Sequence, residues 1–450
     1  MKLPSADTGI RNPMHANSCR ALPITGLSLL LSVLSHAALT VLPSKPDGIY
    51  AKGEAITWKV TLADVPSDKI TDTSYTIKQD GGQMVREGTI DLNNGTADIA
   101  VTSDAPGVLL VELSAGGGDQ PKLKATGGAA VEPDKIPRSA PRPADFDAFW
   151  KSHLDELANT PANAVLAEGT KERPGVLHWQ VAMDLPRGQK MLAQLARPEK
   201  EGKLPAMIIF QYAGVYQLPP ANVLSRAAQG WLVLNVNPHE LPLNEPPEFY
   251  KQQAEGPLKD YVAIGNDDRE KSYFLRMFLA CSRAVDYLAS RPDWDGRTLV
   301  VTGTSQGGLQ SIVAAGLNPK VTAMVVNVPA GCDDTAPLAG RGMPWPYWLK
   351  ENPGKNREAL IRTCGYFDGV NFASRIKCPS MVAYGLLDRT ATASGVSVMM
   401  NELGGPLERV MMPESDHQGN GGKKQAPFHD RSKAWFEALL KTGKPPVEVH

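Results

Sequence analysis

The stretch best suited to chemistry is Thr298–Leu317, TLVVTGTSQGGLQSIVAAGL. An apolar, strand-like run enters Gly303-Thr304-Ser305-Gln306-Gly307, and a helix rich in small residues follows at once. This is G-x-S-x-G in the context it needs: the glycines permit a sharp strand-to-helix turn that lifts the serine hydroxyl above the sheet edge. A serine hydroxyl is a weak nucleophile by itself, so a base and an orienting carboxylate are required. After the strand-like SMVAY comes Gly385-Leu386-Leu387-Asp388-Arg389, and after RVMM comes Pro413-Glu414-Ser415-Asp416-His417-Gln418-Gly419. Both segments follow strand ends, where the active groups of open α/β sheets collect.

Of the eight histidines, only His417, His429 and His450 lie beyond Asp388. His450 is terminal and His429 opens the last amphipathic stretch, so His417 is the predicted base and Asp388 its acid. Glu414 and Asp416 sit too close to His417 in sequence for easy orienting geometry. Asp333 and Asp334 are the weaker alternatives. Backbone donors must meet the oxyanion: the N–H of Gln306, next after the nucleophile, and one from Gln211-Tyr212-Ala213-Gly214, where Tyr212 is favoured over Ala213.

These residues need a scaffold. The buried-looking runs Ala206–Phe210, Trp231–Val236, Thr298–Thr302, Val321–Val328, Ser380–Tyr384 and Arg409–Met412, separated by helical and loop segments, predict a mostly parallel sheet covered on both faces. Leu177–Met183 and Met191–Ala196 alternate and predict an antiparallel edge hairpin. Ala144–Asn159 places Phe146, Phe149, Trp150, Leu154 and Leu157 on one helical face. The fold class is therefore α/β, of α/β-hydrolase type, over residues 143–445. Residues 38–115 read as short strands of a small all-β, immunoglobulin-like sandwich, with Asn94-Gly95 marking a hairpin between Gly88–Leu92 and Ala97–Val101. Without clustered His, Cys or carboxylates, that domain reads as a spacer or packing partner. Residues 116–142, rich in Gly, Pro and Ala, read as a linker.

The 450 residues carry 47 Lys plus Arg and 48 Asp plus Glu, a formal charge of -1 that gives no reason to expect nucleic acid as a partner. Ile24–Leu39 is too short and serine-broken for a membrane span, and its layout is that of a secretory signal peptide over residues 1–37. Met14 would open a more ordinary signal than Met1. The mature protein is thus expected to be secreted or periplasmic, with no stable membrane insertion after cleavage. Cys281, Cys332, Cys364 and Cys378 then face an oxidising compartment, where four cysteines allow three pairings, or persist as free buried thiols. No CxxC or HxxH spacing occurs, and the serine chemistry needs neither metal nor organic cofactor. Gly340–Trp348 (GRGMPWPYW) is an insertion that would overhang the site, where Trp345, Tyr347 and Trp348 either stack on a sugar ring or pack the lid.

The segments RPADFDAFWKSHLDEL, CSRAVDYLASRPDWDGRTLVVTGTSQGG and YFDGVNFASRIKCPSMVAYGLLD resemble the acetylxylan esterase and cephalosporin-C deacetylase family. The resemblance covers about residues 141 to 445. It implies an α/β-hydrolase that removes acetyl groups from acetylated xylan fragments and related small esters, with Ser305, Asp388 and His417 catalytic and Tyr212 and Gln306 as oxyanion donors. The chain departs from the family pattern at Gln211-Tyr212-Ala213, where His-Gly-Tyr is usual, at Arg389-Thr390-Ala391-Thr392, where prolines tend to follow the acid, and at Gln418, where Glu is common. The N-terminal β-domain reads as an addition to the family. The family's ring-like hexamer is therefore not carried over, and homo-oligomerisation stays open. A feruloyl-type esterase, another polysaccharide esterase or a peptidase would use the same three residues, and a carbohydrate-binding protein that lost catalysis is the rival from outside the enzymes.

Overall fold

The computed structural model describes residues 38–446 apart from 66–69, 118–119 and 352–353. The predicted leader, residues 1–37, lies outside the described residues.

The described residues of the N-terminal part contain eight strands: β1 (Ala38–Pro43), β2 (Ile49–Tyr50), β3 (Ala55–Ala63), β4 (Asp72–Gln79), β5 (Met84–Gly88), β6 (Thr96–Thr102), β7 (Gly107–Gly117) and β8 (Gln120–Val131). They form a three-stranded sheet, β1-β3-β6, and a five-stranded sheet, β2-β8-β7-β4-β5. A shared core that includes Trp58, Ile77, Ile99 and Val111 holds the two together. Asn93–Gly95 does form a turn, with the Gly95 N–H on the Leu92 carbonyl. The expected hairpin across it does not form, because β6 pairs with β3 and residues 89–92 join no ladder.

The predicted linker is also corrected. Residues 120–131 are a strand, antiparallel to β7 along its length. Its glycines mark close packing: a Cβ on Gly127 would stand 2.7 Å from Val41 and 2.9 Å from Trp58, and one on Gly128 2.9 Å from Leu386. Small residues here serve close approach and not flexibility.

The third sheet has nine strands among the described residues: β9 (Val165–Glu168), β10 (Val176–Asp184), β11 (Lys190–Pro198), β12 (Leu204–Phe210), β13 (Leu232–Val236), β14 (Trp294–Thr304), β15 (Ala323–Asn327), β16 (Ser380–Gly385) and β17 (Leu407–Met412). Their order is β17-β16-β15-β14-β12-β13-β11-β10-β9. From β13 to β17 all pairings are parallel, and β11, β10 and β9 add antiparallel strands at one end. The hairpin of β10 and β11 is as expected, but β9, with all four residues exposed, is the edge strand beyond it. The fully buried strands β13, β15 and β16 explain their unbroken apolar runs, since helices cover both sheet faces. Helices Tyr273–Ser290 and Gln306–Leu317 supply much of that cover. The first helix, Phe146–Asn159, buries Phe146, Phe149, Trp150 and Leu157 as its spacing predicts.

The two parts share more than a boundary. Along β7, Val108 and Leu110 belong to the α/β core, whereas Leu109 and Val111 belong to the sandwich core. Ala130 of β8 faces the α/β part while Ala129 and Val131 face the sandwich. Successive side chains of a strand point to opposite faces, so one pair of strands serves both cores. The run VLLVEL lacks polar alternation for that reason, and the described residues form one compact unit.

Candidate active site

Ser305 stands where β14 ends and the helix Gln306–Leu317 begins, with φ 58° and ψ −122°. A non-glycine residue at positive φ is strained by about 1–3 kcal/mol, a cost that surrounding structure must impose. Here the turn imposes it. A Cβ on Gly303 would lie 2.3 Å from Gly307, and one on Gly307 2.3 Å from the Phe210 carbonyl oxygen. The Ser305 N–H donates to the Asn327 carbonyl at 3.0 Å, and its own carbonyl accepts from Leu309 and Ala330. The serine is 7% exposed, so only a small face of it is open to a reactant.

Asp388 is fully buried in the loop after β16. Its Oδ1 accepts the N–H groups of Thr390 and Ala391, each at 2.8 Å, which leaves Oδ2 for the imidazole. His417 Nδ1 lies 2.7 Å from Asp388 Oδ2, and His417 Nε2 lies 2.9 Å from Ser305 Oγ. A carboxylate oxygen accepts, so Nδ1 carries the proton and Nε2 is free to accept the serine hydroxyl. The loop of His417 is fixed from within. Gln425 Nε2 donates to the His417 carbonyl at 3.1 Å, Asn327 Nδ2 donates to Gln425 Oε1 at 2.9 Å, and Asp416 accepts the N–H groups of Gln418 and Gly419.

The alternative acids are engaged elsewhere. Glu414 pairs with Lys424. Asp333 pairs with Arg341 and accepts from Ser139 Oγ at 2.6 Å. Asp334 lies beside Asp333 and Asp368, where burial and the neighbouring carboxylates push its carboxyl well above the usual range. Among the described residues no group of three or more His, Cys, Asp or Glu is arranged to hold a metal.

The loop predicted to supply the second oxyanion donor runs beside the helix start, since the Gly307 Cβ position would also stand 3.0 Å from the Gln211 carbonyl. The Tyr212 ring is exposed and stacks on Tyr216, with centroids 4.7 Å apart. The Tyr216 hydroxyl lies 2.8 Å from Gln211 Oε1 and 3.0 Å from the Tyr212 carbonyl. Behind this loop sits a buried polar chain that sequence reasoning missed. Tyr261 donates to the Gln306 side chain and accepts from the Gly214 N–H, and His239 Nε2 donates to the Gly214 carbonyl at 2.9 Å. Burial, with Arg276 nearby, lowers the His239 imidazole to about 4, so it is a neutral strut at working pH. The scattered positions 211, 214, 239, 261 and 306 leave no sequence motif.

The sugar-stacking role considered for two of the tryptophans is corrected. Trp345 and Trp348 are buried against Phe274, with ring centroids 5.7 and 5.1 Å away, and Trp348 Nε1 donates to the Val262 carbonyl. Their faces are occupied by core packing. Tyr347 is the exposed aromatic of the three, with its hydroxyl 3.3 Å from Thr390 Oγ1. Cys281, Cys332, Cys364 and Cys378 are free thiols, the first three buried.

A nine-stranded, mostly parallel sheet carrying a serine on a strand–helix elbow defines an α/β-hydrolase. The profile of the Acetyl xylan esterase (AXE1) family matches residues 135–434. The chain belongs to that family, and it is a carboxylic ester hydrolase with acetyl esterase activity. It is 32% identical over 386 residues to the acetyl esterase Axe7A of Xylanibacter ruminicola, a match covering 84% of this chain and 86% of the relative. That span exceeds what the α/β part from Pro143 onward contains, so it reaches into the N-terminal β-domain. At least part of the domain is therefore matched in that relative. Two solved structures share the fold: an acetyl xylan esterase from Paenibacillus sp. R4 (TM-score 0.57, 23% identity, covering 69% of this chain and 98% of that one) and acetyl xylan esterase 1 from Thermoanaerobacterium sp. JW/SL YS485 (TM-score 0.55, 22% identity, 66% and 97%).

Proposed function

We propose that the protein is an exported serine esterase that removes acetyl groups from acetylated xylan or xylo-oligosaccharides. The observation that carries this reading is the continuous hydrogen-bond chain from Ser305 Oγ through His417 to Asp388, after the ends of β14, β17 and β16. In this reading Ser305 Oγ attacks the acetyl carbonyl as His417 Nε2 takes its proton. The tetrahedral intermediate collapses, the sugar oxygen leaves with that proton, and an acetyl-serine forms. Water then attacks the acetyl group, giving one proton to His417, which returns it to the serine oxygen as the acyl bond breaks, and acetic acid departs to ionise in solvent. The N–H groups of Gln306 and Tyr212 stabilise the oxyanion. Asp388 holds the imidazole in its tautomer and stabilises the transient imidazolium.

The family match and the acetyl esterase relative support the acetyl group as the acyl part. The apolar, serine-broken segment near the N-terminus supports export, and among the described residues no helix is long and apolar enough to cross a membrane. The test is acetate release from acetylated xylo-oligosaccharides by wild type and Ser305→Ala. Release that falls by about 10³-fold or more in the variant, with the fold intact, is expected. Undiminished turnover in Ser305→Ala overturns the serine mechanism. Hydrolysis of a simple activated acetate without release from the oligosaccharides overturns the substrate.

A further inference from the structure

We infer that the N-terminal β-domain is a positioning element for the acid loop, holding Asp388 against His417 from the side opposite the histidine loop. The inference rests on the serine–histidine–aspartate reading given above.

Asp388 lies between β16 and the helix Ala393–Asn401. On one flank this loop is tied to the histidine segment: the Leu386 N–H donates to the Met412 carbonyl at 3.2 Å, and the Leu387 N–H to the Ser415 carbonyl at 3.0 Å. The other flank is met by the β-domain at three successive points. Before Asp388, a Cβ on Gly48 would stand 2.7 Å from Leu386 Cδ1, and one on Gly128 would stand 2.9 Å from Leu386 Cβ and 3.1 Å from Leu387 Cδ2. The backbone of β8 therefore lies flat on the two residues that lead into the acid. Immediately after Asp388, Arg389 pairs with Glu112 of β7. In the first turn of the helix that follows the loop, Ser394 Oγ donates to the carboxylate of Asp80, a 2% exposed residue in the turn between β4 and β5 that reaches out of its own domain.

A fourth contact closes the ring. The Gln83 N–H of the same turn donates to the Gly340 carbonyl at 2.9 Å, and the segment that follows places the Trp345 N–H on the Thr390 carbonyl at 2.8 Å. Residues 386, 387, 389, 390 and 394 are thus fixed directly or at one remove by β-domain groups, with Asp388 at their centre. A spacer would need none of this at one loop. An orienting carboxylate needs it, because a misplacement of about 1 Å in catalytic geometry can cost about 10²-fold in rate.

The experiment places Gly128→Val in the full chain and measures kcat and KM for 4-nitrophenyl acetate, alone and combined with Asp388→Asn. The valine branches press on Leu386 and Leu387 while touching no reacting group. We expect kcat to fall by about tenfold or more, with KM within about twofold, and almost no further fall when the change is added to Asp388→Asn, since both then act through one carboxylate. Ile56→Ala, a cavity in the sandwich core alone, controls for general loosening: melting temperature falls and kcat at 25 °C holds within about twofold. If Gly128→Val fails to fold, Asp80→Ala with Glu112→Gln takes its place in the same cycle. Wild-type kcat in the β-domain variants, or losses that multiply with Asp388→Asn, overturns the inference while leaving the triad. Wild-type kcat in Asp388→Asn itself overturns the triad reading and the inference with it.

Discussion

Ser305 and Asp388 stand at the ends of β14 and β16, with a single strand between them, yet they are held by different means. The serine is fixed within its own turn. Gly303, Gly307 and the first helical turn dictate its backbone, and its outside supports, the Asn327 carbonyl, the Ala330 N–H and the Phe210 carbonyl under Gly307, all come from the α/β part itself. The aspartate sits in a loop with two internal N–H bonds, tied on one flank to Met412 and Ser415 and met on the other by residues 48, 80, 112 and 128 of the β-domain. One group is positioned by local backbone sterics and the other by a second domain. Ser305 should accordingly tolerate change far away and fail on change next door, whereas Asp388 should do the reverse.

Three substitutions test this contrast. The largest effect belongs to Trp345→Ala, which removes an aromatic packed on Phe274 beside the acid loop. It should lower stability by about 3–5 kcal/mol in urea unfolding, while KM for acetylated xylo-oligosaccharides moves by less than about twofold. A large rise in KM with stability preserved would restore the sugar-stacking role and detach this segment from the acid. Next is Gly307→Ala, expected to lower kcat/KM by about 10²-fold through displacement of the elbow from the Gln211–Tyr212 loop, with about 1–3 kcal/mol of overpacking cost. Near-normal esterase kinetics from that variant would show that the turn is not the rigid member of the pair.

The smallest effect probes carboxylates near the strand between the two. Burial, with Asp333 nearby, pushes Asp368 up to about 7, against the pull of N–H groups from Val370, Asp334 and Asp333. Its folded pKa lies above the unfolded value of about 3.9, so the folded state holds a proton that the unfolded chain has released. Its contribution therefore destabilises progressively as pH rises from about 4 through 7 and is absent below both values. The difference in melting temperature between Asp368→Asn and wild type should grow in the variant's favour from pH 5 to pH 8. A difference that is flat over that range would show that Asp368 carries no such proton.

The same contrast explains what could be read along the chain. The elbow is legible because its constraint is local: two glycines, a strand before and a helix after. Asp388 and His417 are legible because both follow apolar runs in the required order. The runs predicted from Ala206 to Met412 all became strands, since burial on both faces leaves an unbroken apolar signal. Residues 120–131 were illegible because Ala and Gly there fit against Trp58 and Leu386, a reason visible only in three dimensions. Gln425 and Asn327 support the histidine loop through side-chain amides with no neighbours in sequence to announce them. Trp345 and Trp348 leave two readings open in sequence for a related cause: an aromatic cluster in an insertion is the same whether it faces a ligand or Phe274.

The alternation along β7 and β8 bears on how this protein can be cut. A fragment beginning at Pro143 would keep every residue of the hydrogen-bonded trio and all nine strands of the mostly parallel sheet. It would also bring into water the apolar surface now covered by Val108, Leu110 and Ala130, together with the backs of Leu386 and Leu387. Such a fragment would be sticky before it was slow. Inheritance, expression and engineering of this enzyme should therefore treat residues 38 onward as one piece.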